Sequence, residues 1–171
     1  IVQLDACSIN TCIDAWADSG SKDAVERAQS LLKLPQADAI SYTTVMKAWI
    51  RSERPDSAAQ CERLLYSMPN PKSRSYATAL HAWSLSKDPE APLRAEAVYQ
   101  EMLKRHQPTV FVFTSLLLVW ARSKRPESDL RVQLYFDQLR GRYMATGEKS
   151  MRPNDKVYNS VLLSKKTNKD G

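Results

Sequence analysis

The sequence predicts an all-α chain of tandem helix-turn-helix units that stack into an α-α superhelix, a solenoid. The first observation behind this is internal periodicity. The four tryptophans, Trp16, Trp49, Trp83 and Trp120, stand 33, 34 and 37 residues apart. Seven residues before each stands Ile9, Tyr42, Tyr76 or Phe113, and twelve after each stands Ala28, Cys61, Ala95 or Val132. Four further on come Leu32, Leu65, Tyr99 and Phe136, and three beyond those Pro35, Met68, Met102 and Leu139. Chance does not repeat such offsets over four blocks. The second observation is the spacing inside a block. Tyr42, Val45, Met46 and Trp49, and again Phe113, Leu116, Leu117 and Trp120, fall at i, i+3, i+4 and i+7, one stripe of a 3.6-residue helix. The third is the presence of only 4 glycines, which argues against a turn-rich β fold.

The units follow in order at about 6–38, 39–72, 73–109 and 110–154, with the first helix of a partial fifth unit over 155–171. The whole of 1–171 thus reads as a single solenoid fragment. Each first helix carries the aromatic-to-Trp stripe. A polar turn follows at 52–56, 86–90 and 123–127, holding Pro55, Pro89 and Pro126 beside acidic residues. Proline suits the first turn of a helix and carboxylates suit its positive end, so these turns predict the start of a second helix. That helix shows its own stripe, as in Ala58, Cys61, Leu64, Leu65 and Met68. Pro71, Pro108 and Pro153 close the units, and residues 140–152 read as an insertion in the fourth. A lone hairpin of this size cannot bury its stripe, whereas stacked neighbours can. The Trp, Tyr and Phe ladder therefore reads as inter-helix core and not as a base-stacking platform.

Composition narrows the function classes. An apolar share of 43% and a charged share of 26% are ordinary for a folded, soluble chain. The longest apolar stretch, residues 115–121, is far short of the ~20 residues that a membrane helix needs. The chain starts at Ile1 without an initiator Met or a basic, apolar leader, and so reads as a piece of a longer protein. Cys7, Cys12 and Cys61 lack metal-ligand spacing and read as reduced, mostly packed thiols of an intracellular protein. The net charge of +6 is uneven: residues 1–50 hold 4 Lys/Arg against 6 Asp/Glu, and residues 51–171 hold 21 against 13. A basic balance attracts polyanions. No catalytic constellation is found. His81 and His106 share no metal-binding spacing, no glycine-rich phosphate loop or nucleophile elbow is present, and the acidic residues are scattered. The chain is expected not to be an enzyme and to need no cofactor, no metal and no small-molecule substrate.

A helical hairpin of about 35 residues suits two repeat families. A tetratricopeptide repeat puts Trp early in its first helix with Gly soon after, and these blocks put Trp late with no Gly at fixed spacing. The blocks instead open with an aromatic followed by small polar residues, as in Tyr42-Thr43-Thr44, Phe113-Thr114-Ser115 and Tyr158-Asn159-Ser160. They carry Met68 and Met102 late in the second helix and close on Pro71-Lys72, Pro108-Thr109 and Pro153-Asn154. In this the chain resembles the pentatricopeptide repeat family over nearly its whole length. It departs from the family in a Trp-to-helix-end stretch about three residues longer, in the scarcity of glycine in the turns and in a fourth unit of 45 residues. These mark a divergent subtype.

The resemblance implies a single-stranded RNA-binding module that assigns one repeat to one base. Unstacked bases expose their Watson–Crick edges to short donor and acceptor side chains. In that family the first helices line the concave face, and two residues per unit meet a base: the one after the aromatic and the last of the unit. Carried over, the pairs are Asn10 with Asp38, Thr43 with Lys72, Ala77 with Thr109, and Thr114 with Asn154; Asp5 and Asn159 belong to incomplete units. Asn10/Asp38 resembles the combination that prefers U, and Thr114/Asn154 the one that prefers A, which implies 5′-U-N-N-A-3′. Asp38, Thr109 and Asn154 are equally good helix N-cap types. Lys47, Arg51 and Arg122 on first helices are the candidate phosphate ligands. The family works in mitochondria and plastids, so organellar RNA processing, stability or translation is the expected setting. A protein–protein scaffold built on the same solenoid is the alternative, and no membrane association is expected.

Overall fold

The computed structural model describes residues 5–19 and 23–167. Residues 168–171, which close the expected fifth unit, lie outside the described residues. Nine α-helices and no strand occur among the described residues: α1 (Ala6–Asp18), α2 (Ala24–Ser30), α3 (Ala39–Arg51), α4 (Ser57–Ser67), α5 (Ser73–Leu85), α6 (Ala91–Leu103), α7 (Val110–Ala121), α8 (Ser128–Thr146) and α9 (Asp155–Thr167). α3, α5 and α7 carry the aromatic-to-Trp stripes, α1 carries the same stripe opened by Ile9, and α9 carries Tyr158 without a Trp. The even-numbered helices carry the second stripes. Backbone contacts divide the chain into two compact units, residues 1–82 and 83–171.

In the first unit α1 packs on α2 and α3, and α3 packs on α4. Ile9, Ile13, Val45, Met46, Cys61 and Leu65 are buried there. In the second unit α7 packs on α6, α8 and α9, and α8 packs on α9. Its centre is aromatic. Tyr99 meets Phe113 at 6.1 Å and Tyr135 edge-on at 5.6 Å. Such tilted arrangements set ring edge against ring face and add to simple burial. Trp49, Trp83 and Trp120 are buried, as expected of a scaffold ladder. Trp16 is half-buried, and the Arg27 guanidinium covers it at 4.9 Å from the ring centre.

The turn before each second helix differs from the expectation. Pro55, Pro89 and Pro126 do not sit in the first helical turn. Each is the second residue of a four-residue turn closed by Ser57 N–H on Arg54 O, Ala91 N–H on Asp88 O and Ser128 N–H on Arg125 O. The acidic residue after each Pro has φ near −85° and ψ near 0° (Asp56 −87°/−3°, Glu90 −86°/−5°, Glu127 −82°/0°), the third-residue geometry of a type I turn. Proline pre-sets φ for the second position of that turn, so its ring directs the chain into the helix without joining it. Glu53, just past α3, has φ 51°, a left-handed conformation that usually falls to glycine after a helix end.

The insertion expected at 140–152 is mostly helix. α8 runs 19 residues, Gly147 stops it with φ 65°, and the short 3-10 turn Lys149–Met151 returns the chain with Met151 buried. The packed reading of the cysteines is corrected for two of three. Cys7 and Cys12 are exposed, because the buried face of α1 runs through Ile9 and Ile13, and neither thiol falls on that line. Cys61 is buried and donates to Met46 O at 3.3 Å.

Polar links one block apart recur in both units. Arg51 pairs with Asp18 at 3.0 Å and Arg54 pairs with Glu26 in the first. In the second, Arg125 pairs with Glu90 at 2.5 Å, Arg131 with Glu96 at 2.6 Å, and Arg142 donates to Gln107 at 2.7 Å. Exposed pairs of this kind add little each, while Glu96, 18% exposed, sits where screening is weaker.

Candidate nucleic-acid interface

The five last-of-unit residues and the five that follow Ile9, Tyr42, Tyr76, Phe113 and Tyr158 occupy two fixed places on the helices. Asp5, Asp38, Lys72, Thr109 and Asn154 each immediately precede an odd-numbered helix, and Asn10, Thr43, Ala77, Thr114 and Asn159 are each its fifth residue. The first set is therefore in capping position. The first four N–H groups of a helix lack internal partners, and a short polar side chain there supplies one.

Asp38 does this most completely. Its Oδ1 accepts from the Ile40 and Ser41 N–H groups at 2.9 Å each, and its own N–H donates to Ser41 Oγ at 3.2 Å, closing a capping box. The Ser41 N–H, despite some burial, holds its carboxyl below the usual carboxylate range, aided by the Ser41 hydroxyl, the Ile40 N–H and the Asn10 side chain. Asn10 on α1 has the weakest of these influences on Asp38 at the start of α3, and the hydrogen bonds of the Asp38 carboxylate itself go to Ile40 and Ser41. The amide oxygen of Asn10 is buried with no hydrogen-bond partner. Asp5 caps α1 through Ser8 N–H at 2.7 Å, which likewise lowers its pKa.

No pair assigned to one base is joined by a hydrogen bond among the described residues. Thr43 is buried and its hydroxyl lies 2.8 Å from Ala39 O and 2.9 Å from Ile40 O, bound back into its own helix. Lys72 is exposed. Ala77 is buried and carries no polar group. Thr109 is exposed and caps α7 with its backbone carbonyl alone. Thr114, half-buried, donates to Val110 O at 2.7 Å. Asn154, exposed, accepts from Val157 N–H at 3.2 Å and lines a cleft of about 440 Å³ with Lys149 and Arg152. Asn159 is exposed on α9.

Of the candidate phosphate ligands, Lys47 is exposed on α3. Arg51 is exposed but engaged with Asp18, the residue at the same place one block earlier. Arg122 is exposed and sends Nη1 to Ser84 O at 2.9 Å, which leaves its remaining donors for an anion. A basic groove around Lys87 and Lys124 was not anticipated; the repeated Ser86-Lys87 and Ser123-Lys124, one block apart, carried its signal. A second cleft, of about 530 Å³, contains Tyr42, Trp49, Gln29 and Arg54. Trp49 Nε1 donates to Gln29 at 3.0 Å and Arg54 stacks 4.8 Å above the indole, so those groups hold one another.

No group of three or more His, Cys, Asp or Glu side chains fit to hold a metal ion occurs among the described residues. No helix among them is long and apolar enough to cross a membrane. Neither the known protein families nor the characterised proteins contain a match to this chain.

Proposed function

We propose that this chain is a divergent pentatricopeptide-type solenoid that binds single-stranded RNA, with each layer offering one polar pair to one base. The observation that carries the reading is the repeated placement of the assigned pairs, a residue just before each odd-numbered helix and the fifth residue within it, with the side chain of Asn10 near enough to Asp38 to help lower its pKa. The excess of Lys/Arg over residues 51–171 supports it, since a polyanion gains affinity from released counterions. On this reading the protein does no chemistry of its own and acts on organellar transcripts by occupancy.

Fluorescence anisotropy with random, U-rich and A-rich RNA oligonucleotides at two salt concentrations tests this. Binding that weakens steeply with salt and favours U- and A-containing strands is expected; no affinity for any pool at low salt removes the proposal. The burial of Thr43 and Ala77 favours a second reading, a protein-binding scaffold of the same type, because those two layers offer little for a base to read. A partner captured without any RNA affinity would select it.

A further inference from the structure

The second unit holds a groove of about 760 Å³ between the α5–α6 and α7–α8 turns. Its floor is aliphatic: Leu85, Pro89, Pro92 and Val119 line it, and Leu85 is 48% exposed. Its rim is basic. Lys87, Arg122, Lys124 and Arg125 line it against a single lining carboxylate, Asp88. Arg125 is already paired with Glu90, and Asp88 Oδ1 is occupied by the Glu90 N–H at 2.8 Å. No ion pair engages Lys87 or Lys124 among the described residues, and Arg122 is held only to a backbone carbonyl.

The fold does not demand these lysines. The corresponding turn of the first unit, with the same Ser and Pro, carries Glu53 in their place. What the lysines add is uncompensated positive charge around an open aliphatic floor. A nucleic-acid strand gains most from aromatic rings on which its bases stack, and the two guanidinium groups here are held, Arg125 by Glu90 and Arg122 by the Ser84 carbonyl. No aromatic ring lines the groove. An extended peptide that alternates carboxylates with aliphatic side chains matches both parts. Its apolar groups cover the exposed Leu85 and Pro89, and its carboxylates meet Lys87 and Lys124.

We propose that this groove docks an acidic, aliphatic-rich peptide segment of a partner protein; it contains none of the paired base-reading positions and shares only Arg122 with the candidate phosphate ligands. Charge reversal of the rim weakens such docking chiefly by losing steering and complementarity.

The probe is a fluorescein-labelled peptide of alternating glutamate and leucine residues, titrated with the whole chain. A second peptide has serine in place of leucine, and an unlabelled U-rich RNA serves as competitor. Micromolar binding of the leucine peptide is expected. The serine peptide, the Leu85→Ser variant and the Lys87→Glu/Lys124→Glu variant should each weaken it by about tenfold. The Lys87→Arg/Lys124→Arg variant should keep it, which controls for any loss of folding in the reversed form. Absence of binding overturns the proposal, as does indifference to the charge reversal or equal affinity for the serine peptide. Full displacement by the RNA from the Arg122→Ala variant as from the wild type would make the groove a nucleic-acid site and also overturn it.

Discussion

Replacing Asp38 by Ala removes an N-cap that serves two backbone donors and a capping-box hydroxyl. Loss of a cap of this kind costs about 1–2 kcal/mol. For a chain of this length each kcal/mol moves the midpoint by about 2–4 °C, so the melt of Asp38→Ala should fall by about 2–8 °C at pH 7. Asp38→Asn keeps a capping oxygen and should cost about 0.5 kcal/mol or less. The pH dependence has a definite sign. The folded-state pKa of Asp38 is lowered, so the charged carboxylate's contribution is fully present above the unfolded value of about 3.9. It fades as pH falls through the folded value. Circular dichroism melts of wild type and Asp38→Ala between pH 7 and pH 3 should therefore converge toward acid. An alanine variant that melts with the wild type at pH 7, or a gap that widens on acidification, refutes the assignment of Asp38 as the cap that anchors α3.

Three further outcomes are expected. Glu53→Gly should stabilise the chain by up to about 1 kcal/mol in urea unfolding, because Glu53 sits at φ 51° where a side chain is strained and glycine is not; an unchanged or lower midpoint contradicts that. In the native protein Cys7 and Cys12 should react readily with a thiol reagent, while Cys61 should react only on unfolding, since burial pushes its thiol to about 12 and removes the thiolate; mass spectrometry of partly labelled protein reads the sites, and early modification of Cys61 contradicts the packing. Arg51→Ala should change stability by less than about 0.5 kcal/mol, given an exposed pair with Asp18, yet should lower the slope of log affinity for RNA against log salt by about 0.7; an unchanged slope removes Arg51 from the phosphate ligands.

The helices were legible in the sequence because the apolar stripe is a direct image of the buried face. Ile9, Val45, Leu116 and Trp120 repeat at helical spacing, and all are buried. The turns were legible only in part. Pro55, Pro89 and Pro126 announce a helix start equally well from the second place of a type I turn and from the first helical residue. The choice rests on backbone angles that no residue type states. The long α8 was hidden because Arg140 to Thr146 mixes charged and small residues with no stripe, and only Gly147 marks its end. The exposure of Cys7 and Cys12 was hidden for a similar reason: a thiol is apolar enough for either face. At the candidate site, residue identity pointed to the cap role of Asp38 and Asn154. It did not disclose that Arg51 is occupied by its own counterpart one block back, which depends on the distance between α1 and α3. Nor did it disclose that the Thr43 hydroxyl turns back on its helix, because threonine has that option wherever it sits in a helix.

On the proposed reading one polar pair per layer meets one base. The double change Thr114→Asn with Asn154→Asp tests it, because Asn154 is exposed, Thr114 is half-buried and neither is part of the buried core. Anisotropy is measured with two RNA strands that differ by A or U at a single position. Preference should move from A toward U while affinity for the better strand is retained. Undiminished binding with an unmoved preference would contradict it.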